Sequence, residues 1–128
     1  MRLDQVGLKV KSNPFSFSFN DERAQSSQEL LSTEGQSLFL MDKYLQMDFK
    51  LPSQRIFGLG ERNREFLLEE GTWTMWAVGK ETPYDDGTGG LQTYGVHPFA
   101  LVQTGTKGQY MGIYFRNTNA ASPVISHN

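Results

Sequence analysis

The feature that most constrains the fold of this chain is a regular alternation of apolar and polar residues in short runs. The run VGLKVKSNPFSFSF, from Val6 to Phe19, alternates in this way and is interrupted at Asn13-Pro14, a dipeptide typical of turns. A period of two residues is the pattern of antiparallel strands with one buried face, whereas an amphipathic helix repeats every 3.6 residues. We therefore predict two half-buried strands joined by a turn at Asn13-Pro14.

Similar short segments recur along the rest of the chain. Periodicity cannot decide between helix and strand for Glu29-Leu30-Leu31, and we predict a strand there. Residues 37–51 predict a strand pair or one bent strand, and RIFGLGE predicts a short strand. A further strand is predicted over Thr72–Val78, where aromatic and β-branched residues are concentrated.

The clearest local prediction is a hairpin near the C-terminal end. Strands are expected over His97–Gln103 and Gln109–Arg116, joined by a turn that contains glycine. Short strands separated by turns, without a convincing amphipathic helix, are typical of all-β proteins. The predicted fold is an antiparallel β-sandwich.

Length and composition exclude several classes of partner. A chain of 128 residues suits one domain that needs neither a metal nor disulfides to form a core. With 14 acidic and 12 basic residues the net charge is -2, which does not favour nucleic acid or an anionic membrane as partner. The sequence has 0 cysteines, so it offers no disulfide, thiolate nucleophile or Cys-type zinc site, and the compartment stays open. No segment has the apolar length of a membrane helix or the pattern of a signal peptide, and we expect a soluble chain.

Two patterns bear on cofactors and metals, and both favour structural roles. Gly58-Leu59-Gly60-Glu61 has some likeness to a phosphate-binding loop, but no third glycine and no amphipathic helix follow it. His97 precedes Pro98 at the start of an apolar strand and fits a structural role better than that of a general base. No acid at ligand spacing lies between His97 and His127. We expect no metal site and no cofactor.

Charged and aromatic residues precede a long polar loop. The acids and arginines of residues 61–70 are interpreted as a solvated face. Trp73 and Trp76 are three positions apart and point to opposite faces of a strand, so we predict one in the core and the other available at the surface. An exposed tryptophan, with Tyr84 and Tyr94, would suit stacking against sugar rings.

The loop GKETPYDDGTGG, from Gly79 to Gly90, is longer than an ordinary connection between strands. Its glycines and acids fit a solvated connector. Alternatively, its carboxylates and hydroxyl groups form a polar finger that hydrogen-bonds to a hydroxyl-rich ligand. The residues alone leave both interpretations open.

Several segments together resemble the N-terminal β-sandwich region of glycoside hydrolase family 31, the family of α-glucosidases. They are NPFSFSF, LPSQRIFGLGER, YGVHPFAL and GIYFRNTNA, in that order across nearly the whole chain. Their combination is more specific than any one of them. The resemblance implies a galactose-mutarotase-like fold for residues 1–128, as a single N-terminal domain of a longer enzyme whose catalytic (β/α)8 barrel is absent here.

The resemblance also implies a role for the loop. Family members carry at this place an Asp-containing stretch before a proline, and the loop borders the sugar pocket of the barrel. The corresponding residues resemble Glu81-Thr82-Pro83, where glutamate stands for aspartate and reaches one methylene further. The substrate-binding residues implied in this way are Glu81, Thr82, Tyr84 and Asp85.

No catalytic residue is expected in this chain. Enzymes of the family use two carboxyl groups about 5 Å apart, with the nucleophile in a DMNE-like motif. Neither the DMNE-like motif of the nucleophile nor a motif for the second acid occurs here. In the family both acids belong to the barrel. The function implied is that of a non-catalytic domain that supports the barrel and lends residues 79–90 to a pocket for an α-glucoside or oligosaccharide.

Two alternatives remain from the sequence. The isolated domain is a carbohydrate-binding module through Tyr84 and an exposed tryptophan, or it is a mutarotase-like epimerase. The second alternative needs a general acid and a general base facing one pocket. His97 is the conspicuous candidate for such a role.

Overall fold

The computed structural model describes residues 5–23, 27–76, 92–105 and 108–126. The regular elements of these ranges are β-strands, and each pairs antiparallel with its neighbour, which confirms the predicted all-β sandwich class. No helix in the described ranges is long and apolar enough to cross a membrane. The strands are β1 (Val6–Ser12), β2 (Phe15–Asp21), β3 (Gln28–Ser32), β4 (Leu38–Met41), β5 (Tyr44–Met47), β6 (Ile56–Gly58), β7 (Gly71–Thr72), β8 (Phe99–Gln103), β9 (Tyr110–Tyr114) and β10 (Val124–Ile125).

The chain divides into two compact units, residues 1–52 and residues 53–128. The first unit contains a three-stranded sheet in the order β1-β2-β3 and the β4–β5 hairpin. The second contains a three-stranded sheet in the order β6-β8-β9 and the β7–β10 pair. The assignment of all 128 residues to a single domain stays a prediction.

The first two strands form where the alternation predicts them, on either side of Asn13-Pro14, whose peptide bond is cis. Their register sets Leu8 opposite Phe19 and Val10 opposite Phe17. Residues opposite each other in an antiparallel pair share a face of the sheet. One face of β1–β2, here called the apolar face, therefore carries Val6, Leu8, Val10, Phe15, Phe17 and Phe19, with the polar residues Ser12 and Asp21 toward its ends.

The predicted burial of this face is wrong. Val10 is 61% exposed, and Val6, Leu8, Phe15 and Phe19 are exposed as well. Alternation determines which side chains share a face, but it does not supply the layer that covers them. The strand prediction is confirmed. The prediction of half-buried strands holds for β2, which buries Ser16 and Asn20 of its polar face, and is wrong for β1, which is exposed along most of its length.

The opposite, polar face of β1–β2 carries Lys9 and Lys11 from β1, with Ser16, Ser18 and Asn20 from β2. Ser16 and Asn20 are buried, and Asn20 Nδ2 donates a hydrogen bond to Ser18 Oγ at 3.3 Å. Lys11 Nζ forms an ion pair with Glu34. Long charged side chains thus lie at the surface of this face and short polar ones beneath them.

An ion pair marks the end of β2. Arg23 Nε donates to both carboxylate oxygens of Asp21, at 2.8 and 2.9 Å, and Arg23 N donates to Asp21 Oδ1 at 2.9 Å. The hydrogen bonds from the Arg23 side chain, which favour the ionised carboxylate, lower the pKa of Asp21 from 3.8 to about 2. The Asp21–Arg23 ion pair, with the carboxylate ionised, therefore stabilises the C-terminal end of β2.

The predicted strand pair of residues 37–51 is the β4–β5 hairpin, and the predicted strand at Glu29-Leu30-Leu31 is part of β3. In the hairpin, Leu38 lies opposite Met47 and Leu40 lies opposite Leu45. The apolar residues of this hairpin are largely exposed, on both of its faces: Leu38, Phe39, Leu40, Met41, Tyr44 and Leu45.

The sheet of the second unit has a buried face. Ile56 pairs with Val102, and Val102 is 0% exposed, while Ala100 is also buried. The predicted hairpin is confirmed as β8–β9. The ladder begins at Phe99, two residues after the predicted start, because Pro98 has no N–H to donate.

A tight corner follows β6. Gly58, Leu59 and Gly60 all have positive φ, at 102°, 57° and 90°. In a regular strand successive amides point to opposite sides, but here the amides of Leu59, Gly60 and Glu61 all donate toward one neighbouring segment. They reach the carbonyls of Phe99 (2.8 Å), His97 (3.0 Å) and Gly95 (2.9 Å). A Cβ on Gly58 would lie 2.6 Å from the Phe99 oxygen.

The predicted strand over Thr72–Val78 is correct only at its start. The β7–β10 ladder covers Gly71–Thr72, a single bridge joins Met75 to Ala121, and Val78 lies outside the described residues. Trp73 N donates to Pro123 O at 2.8 Å. Proline cannot return that hydrogen bond, so the ladder is interrupted opposite Trp73.

Candidate functional site

The residues predicted to bind substrate, Glu81, Thr82, Tyr84 and Asp85, lie outside the described residues. The structure describes the two segments on either side of them, residues 73–76 before the loop and residues 92–97 after it. The candidate site is therefore built from the frame around the loop.

The segment before the loop is held on two sides. Met75 N donates to Ala121 O at 2.7 Å and Ala121 N donates back at 3.0 Å. Thr74 Oγ1 and Ser122 Oγ are hydrogen-bonded at 3.1 Å. Trp73 and Met75 are buried, at 4% and 2% exposed. The backbone of residues 73–75 is thus held by hydrogen bonds and by the burial of two of its side chains.

Arg62 links this segment to the corner after β6. Its Nε donates to Leu59 O at 2.9 Å, and its Nη2 donates to Thr74 O at 2.7 Å. The guanidinium carbon lies 5.3 Å from the centre of the Trp73 ring, within the range of a cation–π contact. Burial lowers the pKa of Arg62 from its ordinary value, yet arginine stays protonated at neutral pH.

Arg62 corrects the interpretation of residues 61–70 as a solvated face. The acids of this run and Arg64 are exposed, as predicted, but Arg62 is half-buried and hydrogen-bonded to backbone carbonyls. Sequence reasoning missed this role, because a charged run does not distinguish a surface arginine from one that spans two segments. The signal that was available is Trp73 nearby, since arginine often packs against an aromatic ring.

The segment after the loop pairs with the same corner. Thr93 N donates to Glu61 O at 2.9 Å, and the backbones of Arg62 and Gln92 form an isolated antiparallel β-bridge. Gln92 Oε1 accepts a hydrogen bond from the amide of Trp76, so it joins the two described segments that flank the loop in sequence. Corner 58–62, segment 73–76 and segment 92–95 thus form one hydrogen-bonded frame.

Two aromatic residues project from this frame. Trp76 is 63% exposed, and Tyr94 is also 63% exposed. The prediction that one tryptophan is core and the other available is confirmed, with Trp73 buried and Trp76 at the surface. Both exposed rings lie next to the loop in sequence, on backbone that other residues fix.

Glu61 and His97 meet around Gly95. Gly95 N donates to Glu61 Oε2 at 2.9 Å. A Cβ placed on Gly95 would lie 2.6 Å from His97 Nδ1 and 3.2 Å from Glu61 Oε2, so both side chains border the same glycine. The His97 side chain is exposed. Glu61 and His97 are far apart along the chain, and no local sequence pattern pairs them.

The GLGE segment does not offer a phosphate site. The amides of Leu59, Gly60 and Glu61 are bonded to carbonyl oxygens of residues 95–99, whereas a phosphate loop presents free amides to its ligand. Among the described residues, no group of three or more histidines, aspartates and glutamates could hold a metal ion. His127 lies outside the described residues.

Comparison with known protein families identifies the domain type. Residues 3–122 match the family model for the glycosyl hydrolase 31 N-terminal galactose mutarotase-like domain. The chain belongs to this family. The family domain accounts for the strand-rich, antiparallel architecture and for nearly all of the sequence.

The curated relatives are much longer proteins. The chain is 34% identical over 132 aligned residues to a lysosomal alpha-glucosidase of Mus musculus, covering 94% of this chain and 13% of the relative. It is 31% identical over 115 residues to the probable maltase-glucoamylase 2 of Homo sapiens, covering 88% of this chain and 4% of the relative. A lysosomal acid alpha-glucosidase of Tetrahymena pyriformis is 29% identical over 124 residues, with 96% and 13% covered. The chain thus spans a small fraction of the length of these relatives.

Proposed function

We propose that this chain is the non-catalytic N-terminal domain of a family 31 α-glucosidase-like glycoside hydrolase. It supports a catalytic barrel of the same polypeptide and lends residues 79–90 to the pocket that binds an α-glucoside. The observation that carries the proposal is the family match over residues 3–122. The parent protein is then a retaining α-glycosidase, and its two catalytic acids lie outside this chain.

The frame around the loop supports the second part of the proposal. A loop can present polar groups to a ligand only if its ends are held in place. Here Met75 is hydrogen-bonded to Ala121, and the amide of Trp76 is hydrogen-bonded to Gln92. The Arg62 side chain donates hydrogen bonds both to Leu59 O in the corner and to Thr74 O. Binding loops on such scaffolds set specificity, while the chemistry is carried out elsewhere in the protein.

The first experiment reads the parent gene beyond codon 128 and tests this chain for hydrolysis of p-nitrophenyl α-glucoside. We expect a barrel with a DMNE-like motif in the gene and no turnover by the isolated chain. An open reading frame without such a barrel contradicts the proposal. So does turnover that survives purification to homogeneity and is lost when an acid of this chain is mutated.

The second experiment tests the loop in the full-length enzyme. Glu81→Ala is compared with Glu65→Ala, which removes an exposed glutamate outside the loop. We expect Glu81→Ala to lower kcat/KM by about tenfold, the equivalent of about 1.4 kcal/mol, on short and long α-glucosides. Glu65→Ala should leave kcat/KM unchanged. Values within about twofold of wild type for Glu81→Ala favour the simple connector over the pocket loop.

One observation favours a second candidate function, a carbohydrate-binding module. Trp76 is largely exposed and its amide is hydrogen-bonded to Gln92, and Tyr94 is exposed two residues after Gln92. Aromatic rings of this kind stack on the apolar faces of sugar rings. Titration of the isolated chain with maltose and with a longer glucan tests this candidate. Binding that is lost in Trp76→Ala but kept in Tyr44→Ala, which changes another exposed ring, would favour it.

The epimerase alternative rests on Glu61 and His97, which border Gly95 together. Glu61 Oε2 accepts a hydrogen bond from the Gly95 amide, and in this alternative Glu61 and His97 would be the two groups that exchange protons with the sugar. An assay of anomer interconversion with wild type and His97→Ala tests it. Equal rates for the two proteins would dismiss this alternative.

A further inference from the structure

We propose that Arg62 is a positioning residue: it fixes the backbone that carries Trp76, so that the exposed ring of Trp76 stacks on the α-glucoside substrate. This rests on the proposed function, because it needs a full-length enzyme that binds such a substrate. It goes beyond that function by assigning a substrate contact to Trp76, which precedes residues 79–90, and by naming the side chain that holds it. In this role Arg62 acts through Trp76 and does not touch the substrate.

Arg62 closes a ring of contacts that runs through Trp76. The backbone of Arg62 forms an antiparallel bridge with Gln92. The side chain of Gln92 reaches Trp76, whose amide donates a hydrogen bond to Gln92 Oε1. The chain runs back from Trp76 to Thr74, whose carbonyl accepts a hydrogen bond from Arg62 Nη2 at 2.7 Å. Through its backbone and through its side chain, Arg62 is thus linked to both ends of residues 74–76.

A second donor of the Arg62 side chain is bonded to the corner after β6. Arg62 Nε donates to Leu59 O at 2.9 Å, and the amide of Leu59 is itself bonded to Phe99 O at 2.8 Å. A guanidinium presents its N–H donors in a rigid planar fork, whereas lysine carries a compact ammonium on a flexible stem. The fork therefore ties the position of Thr74 to that of the corner.

The ring of Trp73 gives the guanidinium a fixed seat. Trp73 is buried, and its Nε1 donates to Glu69 O at 3.1 Å. The guanidinium carbon lies 5.3 Å from the centre of this ring in Arg62 and 5.8 Å from it in Arg64. Arg62 is half-buried, and partial exclusion of water strengthens hydrogen bonds from a charged donor. Arg64 contacts the same ring but is exposed.

Trp76 is the large side chain that the fixed segment presents to the outside. Burial alternates along it, with Trp73 and Met75 buried and Thr74 and Trp76 exposed. An aromatic ring held in this way suits stacking on the apolar face of a sugar ring. Such a contact depends on position, because a displacement of about 1 Å weakens a well-aligned substrate contact. The hydrogen bonds of Arg62 oppose that displacement.

The experiment is a double-mutant cycle in the full-length enzyme, with kcat and KM measured on p-nitrophenyl α-glucoside and on maltose. Arg62→Met removes the guanidinium and keeps an unbranched side chain. Trp76→Ala removes the ring, and the double variant completes the cycle. Arg64→Met is the matched control, because it removes a guanidinium that contacts the same Trp73 ring from an exposed position.

We expect Trp76→Ala to raise KM about tenfold and Arg62→Met to raise it about fivefold, with kcat within about twofold of wild type. A contact made equally in the ground state and the transition state changes KM alone. In the Trp76→Ala background, Arg62→Met should change KM by less than about twofold, because its target is gone. Arg64→Met should leave KM within about twofold of wild type. Additive effects of Arg62→Met and Trp76→Ala overturn the inference, as does an unchanged KM in either single variant.

Further variants keep the test decisive if Arg62→Met fails to fold. Arg62→Lys keeps the positive charge, loses the planar fork and enters the same cycle. Gln92→Met removes the acceptor of the Trp76 amide, whereas Gln92→Glu keeps an oxygen acceptor. We expect Arg62→Lys and Gln92→Met to raise KM about threefold, and Gln92→Glu to retain the wild-type KM. Equal KM values for the two Gln92 variants overturn the inference, because a role in packing alone does not depend on the acceptor.

The proposed function and the role of Arg62 fail on different results. If the wild-type enzyme hydrolyses no α-glucoside, the proposed function fails, and the role of Arg62 fails with it because no substrate stacks on Trp76. If the wild type is active, additive or absent effects in the cycle reject only the role of Arg62. If Glu81→Ala is silent while the cycle shows coupling, the pocket loop is rejected and the role of Arg62 stands.

Discussion

The two three-stranded sheets of this chain share antiparallel geometry but differ in what covers them. The β6-β8-β9 sheet buries Ile56, Ala100 and Val102 on one face. In the β1-β2-β3 sheet the row of apolar side chains on β1 and β2 is largely exposed, and burial on that face is reached only at Leu31 of β3, opposite Phe19. Both sheets obey the same alternation rule, so alternation does not determine whether a face is buried. Burial depends on which other residues reach that face.

The comparison of the two units extends to two glycines with positive φ, one in each unit. It predicts that replacement by alanine destabilises the protein more at Gly58 than at Gly35. Gly58 and Gly35 both have positive φ, at 102° and 72°, but only a Cβ on Gly58 would collide with backbone. We expect Gly58→Ala to lower the free energy of unfolding by about 2–4 kcal/mol, through backbone strain and loss of the Leu59–Phe99 hydrogen bond. Gly35→Ala should cost about 1–2 kcal/mol, from strain alone.

Urea unfolding followed by circular dichroism measures both variants. Tryptophan fluorescence adds a separate signal for the second unit, because Trp73 and Trp76 both belong to residues 53–128. Equal losses at Gly58 and Gly35 would mean that the close approach of Phe99 has no energetic effect.

A second prediction makes the same chemical change in each sheet. Val→Thr keeps the shape of the side chain and replaces a methyl group by a hydroxyl. We expect Val102→Thr, at a position that is 0% exposed, to cost about 1–3 kcal/mol. Val10→Thr, at a position that is 61% exposed, should stay within about 0.5 kcal/mol of wild type. A similar cost at both positions would show that the apolar face is covered in the isolated chain.

The third and smallest effect concerns the pH dependence of the first unit. The pKa of Asp21 is about 2, below its ordinary value of 3.8, so the ion pair with Arg23 stabilises the folded state above about pH 3.8. That contribution is lost as the pH falls through about 2. We expect Asp21→Asn to be less stable than wild type at pH 7, with a difference that shrinks between about pH 4 and pH 2.

Thermal unfolding at several pH values measures this effect, with Asp42→Asn as the control. Asp42 lies in the exposed turn between β4 and β5, so that variant leaves the Asp21–Arg23 pair intact. A difference between Asp21→Asn and wild type that stays constant down to pH 2 would contradict the role of the ionised pair.

Strand positions were predictable from the sequence where two local signals coincided. The turn at Asn13-Pro14 within an alternating run, and the glycine turn between β8 and β9, both identified hairpins that the structure contains. The strand over Thr72–Val78 was predicted too long, because propensity does not register that Pro123, distant in sequence, is its neighbour. Errors of this kind come from partners that the local sequence does not contain.

The frame of the candidate site was less predictable than the strands. The contact of Gln92 with the amide of Trp76, and the span of Arg62 from Leu59 to Thr74, join residues that are far apart along the chain. No local pattern identifies such contacts. The division of roles between Trp73 and Trp76 was predictable in kind, because residues three apart on a strand cannot share a face. The direction of each ring needed the structure.

The corner Gly58-Leu59-Gly60 restricts the changes that its own gene can tolerate. Every single-base missense change in a glycine codon introduces a residue with a Cβ atom. At Gly58 that atom would meet the Phe99 oxygen at 2.6 Å, and at Gly60 it would meet the Gly95 oxygen at 3.2 Å. Codons 58 and 60 therefore have no neighbouring missense codon that preserves the corner without strain. Of the single-base changes at these two codons, only the synonymous ones leave the corner free of this strain.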